Sequence, residues 1–134
     1  MPGYFGPIED LTLNNNNFRQ VLFTGKFSQL VLMTIAPSDD IGLEVHDGHD
    51  QFFRFEAGTG QVIIDGATYD VKDGDAVVVP AGAEHNVVNT SATKPLKLYT
   101  IYSPAEHPDG VVFATKAEAL TDEIPPTIHN TKTT

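Results

Sequence analysis

The segment from Gly74 to Asn89 constrains this chain most. Val77-Val78-Val79 is a β-branched run and reads as a buried strand. Pro80-Ala81-Gly82 stops it, because proline removes a ladder donor and glycine accepts positive φ. A second strand then starts, Asn86–Asn89, with His85 at its head just past the rigid turn. A histidine held this way has few ways to move, which is what a metal ligand needs.

The rest of the chain repeats the same grammar of short strand and tight turn. Strands are expected at Phe18–Thr24, Gln29–Ala36, Gly42–His46, Gln51–Glu56, Gln61–Ile64, Ala67–Val71 and Leu96–Tyr102. Asp65-Gly66 between two of them is a hairpin signal. In Phe18–Thr24, Val21 and Phe23 are expected on one face. Gln29–Ala36 is apolar on both faces and should be covered on both. Residues 1–17 read as irregular, 18–115 as one β barrel, and 116–134 as an extension with one possible helical turn at Thr115–Leu120 and a loose tail. Many short strands without a long helical pattern imply an all-β sandwich or barrel.

Composition narrows the function. At 134 residues the chain is expected to form one domain with its own core. Eight basic residues against 18 acidic ones give a net charge of −10, which disfavours nucleic acid and anionic membrane as partners. There is no cysteine, so any metal site must use His, carboxylate or amide ligands. Without a visible signal peptide or spanning segment, a cytoplasmic protein is the simplest expectation.

Strand alternation points Glu44 and His46 to one face. Gln51 opens the returning strand, expected to pair with theirs across the Asp47-Gly48-His49 turn. A closed barrel could bring Glu44, His46, Gln51 and His85 to one interior point. Two imidazoles and a carboxylate suit Fe(II) and also accept Mn, Ni, Zn or Cu, and Gln51 would add a neutral oxygen.

Here the chain resembles the small single-domain bacterial cupins. Gly74-x5-Pro80-x-Gly82-x2-His85-x3-Asn89 matches the second cupin motif at every fixed position. The first motif usually reads His-x-His, three or four residues, Glu, six residues and Gly. Here it reads Glu44-x-His46-x4-Gln51-x6-Gly58, with Ser38 where a glycine usually precedes it. Spacing is kept and two ligand types change, while the formal charge of the set stays at −1. The resemblance covers about residues 18–102 and implies a jelly-roll β-barrel (a double-stranded β-helix) that holds one divalent metal.

Other residues have plainer expectations. His49 should sit at the rim in solvent, Asp50 should point away from the site, and His107 and His129 should be exposed. Asp47, Asp50, Asp73 and Asp75 read as turn formers, and Gly58-Thr59-Gly60 as a turn rather than a phosphate loop. Phe53 and Phe55 share the parity of Gln51 and should face inward; Phe52 and Arg54 should face out. Tyr99, Tyr102 and Phe113 are candidates to close the mouth. Phe27, Phe52 and the outer face of Gln29–Ala36 suggest a covered sheet; in cupins the cover is commonly a second subunit, so a homodimer is expected.

The resemblance implies a small-molecule substrate. The favoured activity is isomerisation or epimerisation of a small sugar or keto acid, with the metal as Lewis acid and Glu44, if it is not a ligand, as candidate base. Alternatives are an Fe, Ni or Cu oxygenase and a non-enzymatic metal- or sugar-binding module. No basic cluster is expected in the pocket, since Arg54 faces out and Lys94 and Lys97 lie near a strand start, which argues against a phosphorylated substrate.

Overall fold

In the computed structural model, which describes residues 2–123, ten strands form two antiparallel sheets. In chain order they are β1 (Arg19–Thr24), β2 (Gln29–Ile35), β3 (Glu44–Val45), β4 (Asp50–Ala57), β5 (Thr59–Ile64), β6 (Ala67–Lys72), β7 (Ala76–Val79), β8 (Glu84–Asn89), β9 (Leu96–Ser103) and β10 (Val112–Phe113). The six-stranded sheet runs β10-β1-β2-β9-β4-β7 and the four-stranded sheet β3-β8-β5-β6. Helices α1 (Ile8–Asn14) and α2 (Lys116–Glu123) flank them. This is the expected all-β jelly roll, and the core lies between the sheets.

Period-2 alternation builds that core. Val31, Met33 and Ile35 of β2, Phe53 and Phe55 of β4, Leu96 and Leu98 of β9, and Val87 of β8 are all fully buried. The same inner-face parity carries polar residues at one end of the sandwich: Gln29 on β2, Gln51 on β4, Thr100 and Tyr102 on β9, and His85 on β8.

Several local expectations are corrected. Residues 8–14 are helical rather than irregular: Glu9 and Asp10 favour the first turn electrostatically, and α1 packs against β2, β4 and β9. Part of the cover on the apolar outer face therefore comes from the same chain. Val21 and Phe23 lie on opposite faces, because a bulge pairs Val21 with Val31 but Phe23 with Leu30. Val78 is exposed, since β7 is an edge strand and only Val79 of the valine run is buried. β3 pairs with β8, not with β4 across the turn. Ser38 has φ of 63°, the left-handed conformation that the usual glycine would supply at no cost. The expected helical turn near Thr115 is α2, with Ala119 in the core. The tail from Ile124, including His129, falls outside the described residues.

Candidate metal centre

The Pro80-Ala81-Gly82 turn is pinned before it delivers His85. Gly82 has φ of 89°, and its amide donates to the His46 carbonyl at 2.8 Å. The Ala81 amide donates to Asp50 Oδ1 at 2.9 Å, so Asp50 points away from the site and clamps the turn. The chain then enters β8, where His85 stands directly opposite Glu44 of β3. Gln51 reaches the same end from the other sheet, flanked in register by Val79 of β7 and Tyr102 of β9.

These elements bring Glu44, His46 and His85 together. Glu44 Oε1 lies 3.1 Å from His46 Nε2 and 3.8 Å from His85 Nε2, and one ligand atom from each of the three residues falls within 4.8 Å of the others. His85 Nδ1 faces the Ala83 carbonyl at 3.4 Å. That assigns the proton to Nδ1 and leaves a lone pair on Nε2, which is buried without a hydrogen-bond partner.

Gln51 is oriented by a relay. The Thr100 hydroxyl donates to the Phe52 carbonyl at 2.7 Å, so it can only accept from Gln51 Nε2, at 3.0 Å. The amide oxygen, Oε1, is thereby turned the other way, and it too is buried without a hydrogen-bond partner. His46, Gln51 and His85 line a narrow void, too tight for a free water molecule, beside which these atoms lie. Each orphaned polar atom costs on the order of 1–3 kcal/mol in a protein interior. A cation beside them would satisfy both lone pairs at once, so the residues present fit a divalent metal.

A family model described as the cupin domain matches residues 31–102. The chain belongs to the cupin family. It is 49% identical over 123 residues to the uncharacterized protein YrkC of Bacillus subtilis, covering 87% of this chain and 65% of that one. It is 42% identical over 113 residues to the uncharacterized protein L612 of Acanthamoeba polyphaga mimivirus, covering 81% of this chain and 70% of that one. The chain thus spans about two thirds of the length of these relatives. The crystal structure of the BH2720 protein of Bacillus halodurans superposes with a TM-score of 0.86 at 44% identity, covering 89% of this chain and 94% of that one.

Beside the expected residues, this cupin brings in three that the spacing did not show. His49 is not at the rim. It is only 6% exposed, its ring lies 4.5 Å from that of His46 and edge-on to Tyr102 at 5.1 Å, and its Nε2 is buried without a hydrogen-bond partner. Glu106, from the loop after β9, sits 3.4 Å from His49 Nδ1 and 3.8 Å from His46 Nδ1. Gln29 holds that loop: its Oε1 accepts from the Glu106 and His107 amides, and its Nε2 donates to the His107 carbonyl. Gln29 was readable as a polar residue on the inner parity of an apolar strand; Glu106 had no comparable signal. His107 is half-buried rather than exposed, with Nε2 3.2 Å from the Tyr102 hydroxyl.

One buried cation also acts on the site. Arg19 is buried on β1 opposite Met33 and is close enough to act on Glu44 and His46. Tyr102 alone of the three candidate mouth aromatics touches the histidines, whereas Tyr99 packs near Phe52 on the outer face.

Charge in the site is sorted by burial and partners. For Glu44, burial pushes the pKa up, but the His46 hydrogen bond and the nearby positive charges outweigh it and hold the carboxyl below its usual value. For His46, burial pulls down, yet Glu44 and Glu106 raise the ring above the usual histidine value. Burial lowers His85, and it lowers His49 to about 4, helped by the charge of His46. At neutral pH the set is therefore a carboxylate beside neutral imidazoles at His49 and His85.

The mouth above these residues is a cleft of about 550 Å³ lined by His46, Asp47, His49 and Glu106 among others. Among the described residues no helix is long and apolar enough to cross a membrane.

Proposed function

We propose that this cupin binds one divalent metal through Glu44, His46, Gln51 and His85 and isomerises or epimerises a small carbonyl compound, a sugar or keto acid. The observation that carries the reading is the convergence of Glu44, His46 and His85 beside two buried, lone-pair-bearing atoms, His85 Nε2 and Gln51 Oε1, that have no hydrogen-bond partner. A bound divalent ion would supply Lewis acidity toward a carbonyl or enediolate oxygen. Everything else falls to the chain. The cleft admits a small molecule, and His46 and His49 line both it and the narrow void beside Gln51 and His85. Where Glu44 is not itself bound to the ion, its ionised carboxylate is the base and takes a proton from the carbon next to the carbonyl. Return to the former carbonyl carbon, with a hydroxyl proton passing between the two oxygens, isomerises, whereas return to the opposite face of the same carbon epimerises.

The test is proton exchange followed by NMR with keto-sugars and keto acids in D₂O. Isomerisation places deuterium on carbon, and Glu44→Gln abolishes it. Retained metal in that variant assigns Glu44 as the base; lost metal assigns it as a ligand. An absence of exchange across the panel refutes the isomerase reading.

One specific observation supports a second reading. Glu44, His46 and His85 are a two-histidine, one-carboxylate set, the donor chemistry of Fe(II) oxygenases. Oxygen uptake by the iron-loaded protein with diketones or catechols, without deuterium exchange, would select it.

A further inference from the structure

We infer that His49 is a ligand of the same metal, held in place by Glu106. The inference rests on the metal-centre reading above and extends it to a residue that spacing alone leaves in a turn.

His49 Nδ1 faces Glu106 Oε1 at 3.4 Å. A nitrogen facing a carboxylate carries the proton, so the lone pair of the neutral ring is on Nε2. That atom is buried without a hydrogen-bond partner, like Gln51 Oε1 and His85 Nε2. All three residues line the one narrow void, together with His46. Three orphaned acceptors around one space are three costs that a single cation removes. A core histidine kept only for packing would leave its lone pair unanswered for no return.

The surroundings fix the ring for this task. Tyr102 meets it edge-on at 89° and His46 packs on its other side. Glu106 in turn is set by Gln29, whose amide oxygen holds the Glu106 and His107 backbone. A carboxylate behind a ligating histidine fixes the tautomer and raises the basicity of the ligand nitrogen. His46 turns Nε2 toward Glu44 and Nδ1 toward Glu106, so Glu106 stands behind both the His46 and the His49 rings, on their Nδ1 sides.

The experiment loads metal-free protein with Co(II) and counts the solvent-exchangeable, hyperfine-shifted imidazole N–H signals by proton NMR. Three are expected in the wild type, from His46, His49 and His85, with one ion per chain. His49→Phe keeps a ring in the packed position and should show two. Its Co(II) affinity, by competition with a chelator, should fall at least about tenfold, and Glu106→Gln should weaken binding by about 10- to 100-fold while keeping three signals. Two signals in the wild type overturn the inference and leave the metal centre standing; this arm does not depend on the variant folding. Two ions per chain also overturn it, because His46, His49 and Glu106 would then hold the second. No Co(II) uptake by the wild type overturns both readings.

Discussion

Removing the His49 imidazole should change how the metal-free protein responds to acid. In the unfolded chain His49 titrates near 6.5, and in the folded protein burial lowers it to about 4. Between these values the unfolded state binds a proton that the folded state refuses, so stability falls as pH falls. At about 1.4 kcal/mol per pH unit the full gap is worth about 3 kcal/mol, of which about 2 kcal/mol is lost between pH 8 and pH 5. Other groups titrate over the same range. Raised His46 adds stability at low pH that disappears as pH rises through its folded value, and lowered Glu44 adds stability that disappears in acid. Both remain in His49→Phe, so the difference between the two proteins isolates His49. The assay is urea unfolding with a chelator present at pH 8, 6.5 and 5. With a slope of about 1–3 kcal/mol per molar, the wild-type midpoint should drop by roughly 1 M more than the variant's. Parallel losses in the two proteins would refute the reasoning.

Three further outcomes follow from backbone and hydrogen-bond geometry. Ser38→Gly should raise stability by about 1 kcal/mol, because an exposed serine now occupies a left-handed φ of 63°; the thermal midpoint checks this. Asn89→Ala should cost about 2–4 kcal/mol in chemical unfolding, since the buried amide donates to the Ile35, Ala36 and Lys94 carbonyls and accepts from the Ser91 amide. Thr100→Val should cost about 1–2 kcal/mol, and by releasing the Gln51 amide it should weaken metal binding about 10- to 100-fold in chelator competition.

Much of the fold was legible because turns and parity are local. Asp65 and Gly66 both take positive φ, as their hairpin turn requires, and Gly74 and Gly82 do the same in the second motif. Alternation placed Phe53, Phe55 and Gln51 inside and Asp50 outside, as found. The misses came from contacts between distant segments. A helix of seven residues, Ile8–Asn14, depends on the sheet it covers, so its sequence carries little helical signal of its own. The pairing of β3 with β8 rather than β4 is a choice between sheets, which strand periodicity does not encode. His49 and Glu106 enter the site because a loop more than fifty residues later folds back over the first motif and is held by Gln29. Arg19 escaped notice because a charged residue opening a strand reads as solvated, whereas here it faces the interior.

The metal content of the protein tests the account most directly. Protein purified without added metal, then titrated with Mn, Fe, Co, Ni, Cu and Zn, should hold one divalent ion per chain by elemental analysis, and the double variant His46→Ala/His85→Ala should hold none. A wild type that takes up no ion, or a double variant that keeps it, would contradict the centre built on Glu44, His46 and His85.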